Sequence, residues 1–129
     1  MQKQFVRVAV VDDDESVRKA LARLLNTSPF VPTTFGSGQD FLDSLPTSMP
    51  DCLVLDLQMP DMTGLDLQDR LARIGVQIPT IILTAHDEVN LRQRCRLAGA
   101  VAYLVKPLDE ATLISTLNLA IGRNAAARV

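Results

Sequence analysis

Short apolar runs alternate along the chain with segments whose apolar residues recur at a spacing of three or four positions. The central run follows Asp51, is nearly all apolar, and stops abruptly at Asp56. A run of this kind is typical of a strand that is buried on both faces, as in a parallel sheet. We therefore predict a central strand over 52–56. Four further runs predict strands over 5–11, 30–35, 79–84 and 100–105.

The segments between these runs have the apolar stripe of amphipathic helices. The predicted helices cover 16–25, 37–45, 63–74, 87–98 and 109–121. Residues 122–129 form a tail of small residues, which is either an extension of the last helix or the start of a linker.

Helix ends are marked by the residues that usually cap them. Ser37, Thr63 and Asp109 offer a side-chain oxygen to the first backbone N–H groups of a helix. Gly75 and Gly99 follow the last apolar positions of two helices, where glycine tolerates the left-handed conformation that ends a helix. These residues mark where the predicted helices begin and end.

A strand followed by a helix, repeated five times with short connections, predicts a parallel sheet covered by helices on both faces. This is a doubly wound α/β fold, whose commonest five-stranded order is 2-1-3-4-5. The length of 129 residues fits a single domain over 1–129, with its core at 5–122. The sequence shows no internal repeat or second domain.

The amino-acid composition limits the range of possible functions. The net charge of −2 provides no basic field, so the chain by itself is a poor candidate for binding nucleic acid. Cys52 and Cys95 lack metal-ligand spacing and are predicted to be reduced thiols in the core. The N-terminus lacks a signal-peptide pattern and no apolar run approaches membrane-spanning length, so we expect a cytoplasmic protein with no membrane contact.

Four of the five predicted strands end on polar residues at one edge of the sheet. These are Asp12 and Asp13 after the first strand, Asp56, Thr84, and Lys106 after the fifth. In the order 2-1-3-4-5 these ends are neighbours, so three carboxylates converge. Their repulsion raises at least one pKa unless a cation intervenes, and Mg²⁺ favours a few carboxylates plus retained water.

The same edge carries groups that suit a phosphoryl group. Thr84 offers a hydroxyl and Lys106 a compact positive charge, and both can hold phosphoryl oxygens. Asp51 lies at the opposite end of its strand and Asp61 lies in the following loop. Asp56 is therefore the predicted phosphoryl acceptor, with metal on one side and Thr84 and Lys106 on the other.

Over residues 5–122 the chain resembles a response-regulator receiver domain of two-component signalling, a flavodoxin-like (βα)5 fold. The resemblance rests on Val11-Asp-Asp13, Asp56-x-x-Met-Pro60-Asp-x-x-Gly64, Thr84-Ala85 and Lys106-Pro107. It implies that a sensor histidine kinase phosphorylates Asp56, and that Thr84 and Lys106 bind the phosphoryl group.

The resemblance also implies the metal site and a switch. Asp13 is implied as a direct Mg²⁺ ligand and Asp12 as a supporting one, with Asp56 and the backbone carbonyl of Gln58 completing the protein contacts. Mn²⁺ can substitute. Tyr103 matches an aromatic switch position on strand five, although simple packing is an equal alternative. The bond between Lys106 and Pro107 is expected to be cis.

The details are closest to the branch whose receivers precede a helix-turn-helix (LuxR-type) output domain. Asp12-Asp-Asp-Glu-Ser-Val-Arg18 and Leu83-Thr-Ala-His-Asp87 are typical of it. The resemblance implies a phosphorylation-dependent homodimer through helix four, strand five and helix five, and DNA binding only through a C-terminal domain absent from this sequence. The chain is either a receiver cut from a longer regulator or a stand-alone receiver.

Several of these residues have simpler interpretations. The acids over 12–15 could cap the first helix, with Asp14 the best candidate. His86, the only histidine, lies two positions after Thr84 without evident partners. Arg92, Arg94 and Arg96 are expected on the solvated or partner-facing side of helix four.

Two other functional classes fit the sequence poorly. A phosphatase or phosphotransferase using an aspartyl phosphate needs a second aspartate two positions after the nucleophile, where this chain has Gln58. A flavin-binding electron carrier of the same fold needs a phosphate loop rich in small polar residues and stacking aromatics. The acids over 12–15 would repel that phosphate, and the chain has no Trp and one Tyr.

Overall fold

The computed structural model describes the backbone of residues 5–27 and 29–126, and the side chains of 5–27 and 29–122. Five strands alternate with five helices, as the sequence pattern predicts. The elements are β1 (Val6–Val11), α1 (Glu15–Leu25), β2 (Phe30–Phe35), α2 (Gly38–Ser44), β3 (Cys52–Asp56), α3 (Gly64–Arg73), β4 (Thr80–Thr84), α4 (Val89–Leu97), β5 (Ala100–Val105) and α5 (Glu110–Ala126).

All neighbouring strands are parallel, in the order β2-β1-β3-β4-β5. The predicted doubly wound fold and its strand order are confirmed. Every residue of β3 and β4 is buried, which explains why their sequences lack the polar–apolar alternation of a half-exposed strand. In the paired register Val11 lies beside Leu55, and Asp56 lies beside Leu83. The carboxyl ends of the central strands therefore lie together.

Each face of the sheet has its own hydrophobic core. One includes Val10 and Val54 together with Leu25 and Leu117 from α1 and α5. The other includes apolar residues of the same strands pointing the opposite way, and it packs against α2, α3 and α4. Alternation of side chains along a strand sends neighbouring residues to opposite faces, so the two cores interleave along β1, β3 and β4.

The two cysteines are free and buried, as predicted, and they lie on opposite faces of the sheet. Burial raises the pKa of the Cys52 thiol to about 12 and also raises the pKa of Cys95. Burial therefore favours the protonated form of both thiols.

The capping predictions hold at three helices, and Asp14, the candidate of the alternative interpretation, caps α1 as well. Asp14 accepts N–H hydrogen bonds from Ser16 and Val17, and Ser37 accepts one from Asp40. Thr63 accepts a bond from the Asp66 N–H, and Asp66 returns one to the Thr63 N–H, which completes a capping box. Asp109 accepts the N–H of Thr112 at the start of α5.

Several boundaries differ from the prediction; for example, α1 begins one residue earlier, at Glu15, and α3 ends one residue earlier, at Arg73. α4 begins at Val89 rather than at 87, because Glu88 provides no capping bond and the Asp87 carboxylate instead pairs with Arg92 at 2.8 Å. β1 and β4 each start one residue later than expected, at Val6 and Thr80.

The last helix settles part of the question about the tail. Its backbone continues through Gly122 to Ala126, which matches the helix-extension alternative over that stretch. Residues 127–129 lie outside the described part of the chain. Among the described helices, none has the length and apolar character needed to cross a membrane.

Candidate functional site

The site lies at the carboxyl edge of the sheet, where β1 and β3 deliver acidic residues. Asp12 and Asp56 are buried, with 1% and 5% of their surface exposed, whereas Asp13 is exposed. Carboxylate oxygens of Asp12, Asp13 and Asp56 all lie within 4.8 Å of one another. The sequence prediction that three carboxylates converge is thus confirmed by the geometry, and the cluster is open to solvent on the side of Asp13.

Burial and like charge perturb Asp56. Burial, followed by the negative charge of Asp12, raises the pKa of Asp56 to about 6, and the Lys106 ammonium opposes the shift. A cluster of hard carboxylate oxygens, partly buried and short of positive charge, suits a divalent cation such as Mg²⁺. The residues present therefore fit the metal that the sequence motifs imply.

Lys106 bridges the two buried carboxylates. Its Nζ lies 3.0 Å from Asp12 Oδ2 and 3.2 Å from Asp56 Oδ1, and only 23% of its side chain is exposed. Burial acts to lower the pKa of Lys106, but the hydrogen bond to Asp12 and the charges of Asp56 and Asp12 outweigh it and raise the pKa. The lysine is therefore a fixed positive charge beside Asp56. The Lys106–Pro107 peptide bond is cis, as predicted.

The loop after β3 packs closely against the backbone of Asp56. The Gly64 N–H donates to the Leu57 carbonyl at 3.0 Å. A Cβ at Gly64 would lie 2.7 Å from the Asp56 carbonyl oxygen, closer than real Cβ contacts allow, and 3.0 Å from the Leu57 Cα. Glycine is required here by close approach of two backbone segments, which explains its place in the motif that starts at Asp56.

Thr84 is fully buried, and its hydroxyl has two partners other than Asp56. The hydroxyl donates to Gln58 Oε1 at 2.9 Å or to the His86 carbonyl at 3.1 Å, and it accepts the His86 N–H at 3.0 Å. Among the described residues, no hydrogen bond joins Thr84 to Asp56 or Lys106. Thr84 therefore lies at the predicted edge but is held to neighbouring loops.

Two contacts of the site were missed by sequence reasoning. The Gln58 side chain binds Thr84, whereas only its backbone carbonyl was expected to act. Arg18 donates to the Asp12 carbonyl at 2.7 Å from the first turns of α1. A long polar side chain two positions after Asp56 was a usable signal for the first contact, but nothing in the local pattern distinguishes Arg18 from a solvated helix residue.

Tyr103 is a residue of β5, and its side chain lies beside α4. Its ring packs against the core on the α4 face, and the Arg92 guanidinium carbon lies 5.1 Å from the ring centroid. The hydroxyl is buried, with no hydrogen-bond partner of regular geometry in the described part of the chain. Burial raises the pKa of Tyr103, and the backbone of Glu88 opposes that shift. The ring is thus partly inserted beside α4.

The remaining candidates are peripheral. His86 is exposed and contacts Thr84 through its backbone alone in the bonds described. Arg92, Arg94 and Arg96 are exposed on α4, as expected, and Arg92 pairs with Asp87.

Comparison with known proteins identifies the family. A family model described as the response regulator receiver domain matches residues 8–118. The chain belongs to this family. As a receiver domain of the two-component response regulators, it has the flavodoxin-like fold of its structural relatives.

Three relatives illustrate the likeness. Nodulation protein W of Bradyrhizobium diazoefficiens is 36% identical over 117 residues, which cover 91% of this chain and 52% of that protein. The crystal structure of FixJ-N is 35% identical with a TM-score of 0.84, covering 95% of this chain and 96% of that one. A response regulator receiver protein from Burkholderia phymatum is 43% identical with a TM-score of 0.80, covering 91% and 95%. The chain spans about half the length of nodulation protein W and of other curated relatives that it matches.

Proposed function

We propose that Asp56 accepts a phosphoryl group from a sensor histidine kinase in a Mg²⁺-dependent reaction. The observation that carries this proposal is the position of Asp56, a buried carboxylate within 4.8 Å of two others and bonded to Lys106. A carboxylate oxygen of Asp56 attacks phosphorus while the P–N bond to the kinase histidine breaks. The imidazole keeps the electron pair of that bond and takes a proton.

The perturbed pKa of Asp56 suits this role. A value of about 6 leaves the carboxylate ionised at neutral pH but more basic than an exposed aspartate, which favours nucleophilic attack. Water hydrolyses the acyl phosphate and restores the carboxylate with release of inorganic phosphate. We propose that the chain catalyses only its own phosphorylation and this hydrolysis, and that it does not act as an enzyme on other substrates.

The acidic cluster would hold the metal. We assign Asp12, Asp13, Asp56 and the backbone carbonyl of Gln58 to a Mg²⁺ site that Mn²⁺ can also occupy. A bound divalent ion supplies positive charge that offsets both the clustered carboxylates and an incoming phosphoryl group.

Lys106 and Thr84 would bind the phosphoryl group on the side of Asp56 opposite the metal. Lys106 already donates to Asp56 Oδ1, so a small movement allows it to donate to an oxygen of a phosphoryl group carried by Asp56. Thr84 offers a hydroxyl from the neighbouring strand end once its proton is released from Gln58. These two donors bind and orient the phosphoryl group.

Output would pass through the face formed by α4, β5 and α5. The exposed apolar side chains Val89, Leu97, Val105 and Leu119 belong to these elements. Tyr103, inserted beside α4, would change its packing as Thr84 moves, and the altered face would form a homodimer. Such a shift between two populated surfaces is the general basis of phosphorylation switches.

The relatives suggest the biological setting. They include the transcriptional regulatory protein FixJ, of which the matched segment is about half. We propose that this receiver, one domain with its core at 5–122, controls a transcriptional output domain that contacts DNA, and that it meets its kinase in the cytoplasm.

The direct test is chemical phosphorylation. The purified chain is incubated with Mg²⁺ and acetyl phosphate, and its intact mass is measured. We expect one phosphoryl adduct that disappears in Asp56→Asn and in samples with chelator. A folded wild-type chain that forms no adduct and does not bind beryllofluoride would overturn the proposal and leave a receiver that acts as a constitutive interaction domain.

A further inference from the structure

The hydroxyl of Thr84 has one proton, and that proton is already engaged. Its oxygen accepts the His86 N–H, so the hydroxyl donates either to Gln58 Oε1 at 2.9 Å or to the His86 carbonyl at 3.1 Å. The Gln58 contact is the shorter of the two. Thr84 is fully buried, so water does not compete for this proton. A hydroxyl in this arrangement has no proton left for a group on Asp56.

We propose that Gln58 is a positioning residue that holds the Thr84 hydroxyl in the unphosphorylated arrangement. This inference rests on the proposed function, because it concerns how the same site changes when Asp56 carries a phosphoryl group. To donate to a phosphoryl oxygen, Thr84 must give up its bond to Gln58 Oε1. The bond therefore favours the unphosphorylated state by its own free energy, and occupancy of Asp56 competes with it.

Gln58 is better suited to this role than His86. The His86 carbonyl lies two positions along the chain from Thr84, so it belongs to the same loop and moves with it. Gln58 lies two positions after Asp56 in the loop that follows β3. Its bond to Thr84 spans 26 positions and joins the loop of the acceptor to the loop that leads into α4. Breaking it removes this link between the two loops.

Breaking the bond to Thr84 also costs the Gln58 side chain little free energy. Gln58 is exposed, whereas Thr84 is buried. A released amide oxygen can therefore bind water, while the threonine proton finds a new acceptor on the phosphoryl group. Because neither group is left unpaired, the change is readily reversible.

The test is a double-mutant cycle on the affinity for beryllofluoride, a phosphoryl mimic, at saturating Mg²⁺. Gln58→Met keeps the length of the side chain and the backbone carbonyl but removes the amide acceptor. We expect it to bind the mimic about fivefold more tightly than wild type, the change that corresponds to the ~1 kcal/mol net value of one hydrogen bond. In a Thr84→Ala background the same substitution should have no effect, because the proton is absent.

The control is Gln77→Met, an exposed glutamine in the loop before β4, at the other edge of the sheet. It should leave the affinity unchanged. Equal affinities of wild type and Gln58→Met for beryllofluoride would overturn the inference. An equal increase in affinity when Gln58→Met is made in the Thr84→Ala background would also overturn it, because Gln58 would then affect entry of the mimic to the site and not the Thr84 hydroxyl. Failure of the wild-type chain to bind the mimic would instead count against the proposed function.

A second measurement needs neither metal nor mimic. Three-bond couplings to the Thr84 methyl carbon report its χ1 rotamer in the free protein by NMR. We expect one rotamer in wild type and rotamer averaging in Gln58→Met, with no change in Gln77→Met. A single unchanged rotamer in Gln58→Met would show that the glutamine does not position the threonine.

Discussion

Lys106 Nζ lies 3.2 Å from Asp56 Oδ1, although the two residues are 50 positions apart in the chain. The same nitrogen bonds Asp12, so one ammonium group holds two buried carboxylates together. This arrangement places a fixed cation next to the residue whose pKa is most relevant to the chemistry. Changes at the lysine should therefore affect both the stability of the protein and the chemistry of Asp56.

Replacing Lys106 with Met should raise the pKa of Asp56 above its value of about 6, because burial and the charge of Asp12 would then act unopposed. We also expect a loss of about 1–3 kcal/mol in the free energy of unfolding at pH 7, since a partly buried ion pair loses its cation. Carbon-13 NMR titration of the Asp56 carboxyl and urea unfolding measure these effects. Lys19→Met, which removes an exposed pair with Glu15, is the control and should change neither.

The stability of the protein should depend on the protonation of Asp56. Because its folded pKa of about 6 exceeds the ordinary 3.8, the folded state binds this proton more tightly, and stability falls as pH rises between these values. Asp56→Asn removes that cost. We expect the variant to be about 1–2 kcal/mol more stable than wild type at pH 7, after allowance for solvent screening, and equal to it near pH 4. Urea unfolding from pH 4 to 8 tests this, and a pH-independent difference would contradict it.

Mg²⁺ affinity should depend on Asp13 and not on Asp14. Asp13→Asn removes one carboxylate of the acidic cluster at an exposed position, so we expect at least tenfold weaker Mg²⁺ binding with an unchanged fold. Asp14→Asn is a matched control, because Asp14 caps α1 and asparagine caps equally well. Isothermal titration calorimetry measures both. Equal losses in the two variants would place the ion elsewhere.

Two glycines should respond to alanine in opposite ways. Gly64→Ala would bring a Cβ to 2.7 Å from the Asp56 carbonyl oxygen, so we expect a loss of about 1–3 kcal/mol and slower phosphorylation of Asp56. Gly122 lies in α5 with nothing within 4 Å of an added Cβ, so Gly122→Ala should gain up to about 1 kcal/mol. Thermal unfolding compares the two. A stable Gly64→Ala variant with normal phosphorylation would show that the loop can move aside.

Much of this molecule could be predicted from local patterns. Strands and helices followed from the apolar periodicity, the parallel sheet followed from the repeated β–α unit, and the strand order was the commonest one for such a sheet. The convergence of Asp12, Asp56 and Lys106 then required no further information, because parallel strands bring their carboxyl ends to one edge.

What escaped prediction depends on side-chain direction in loops. The bond between Gln58 and Thr84 joins two loops whose relative position is set by packing rather than by periodicity. α4 starts later than predicted, and the Asp87 carboxylate pairs with Arg92 instead of capping the helix. Both arrangements suit an aspartate at that position. The orientation of Tyr103 was likewise left open by the sequence.

The bond between Lys106 and Asp12 spans 94 positions, from the end of the first strand to the end of the last. During synthesis, the acidic pair and Asp56 leave the ribosome well before the lysine that joins them. The proposed phosphoryl site therefore gains its lysine only after the whole sheet, β5 included, has been synthesised.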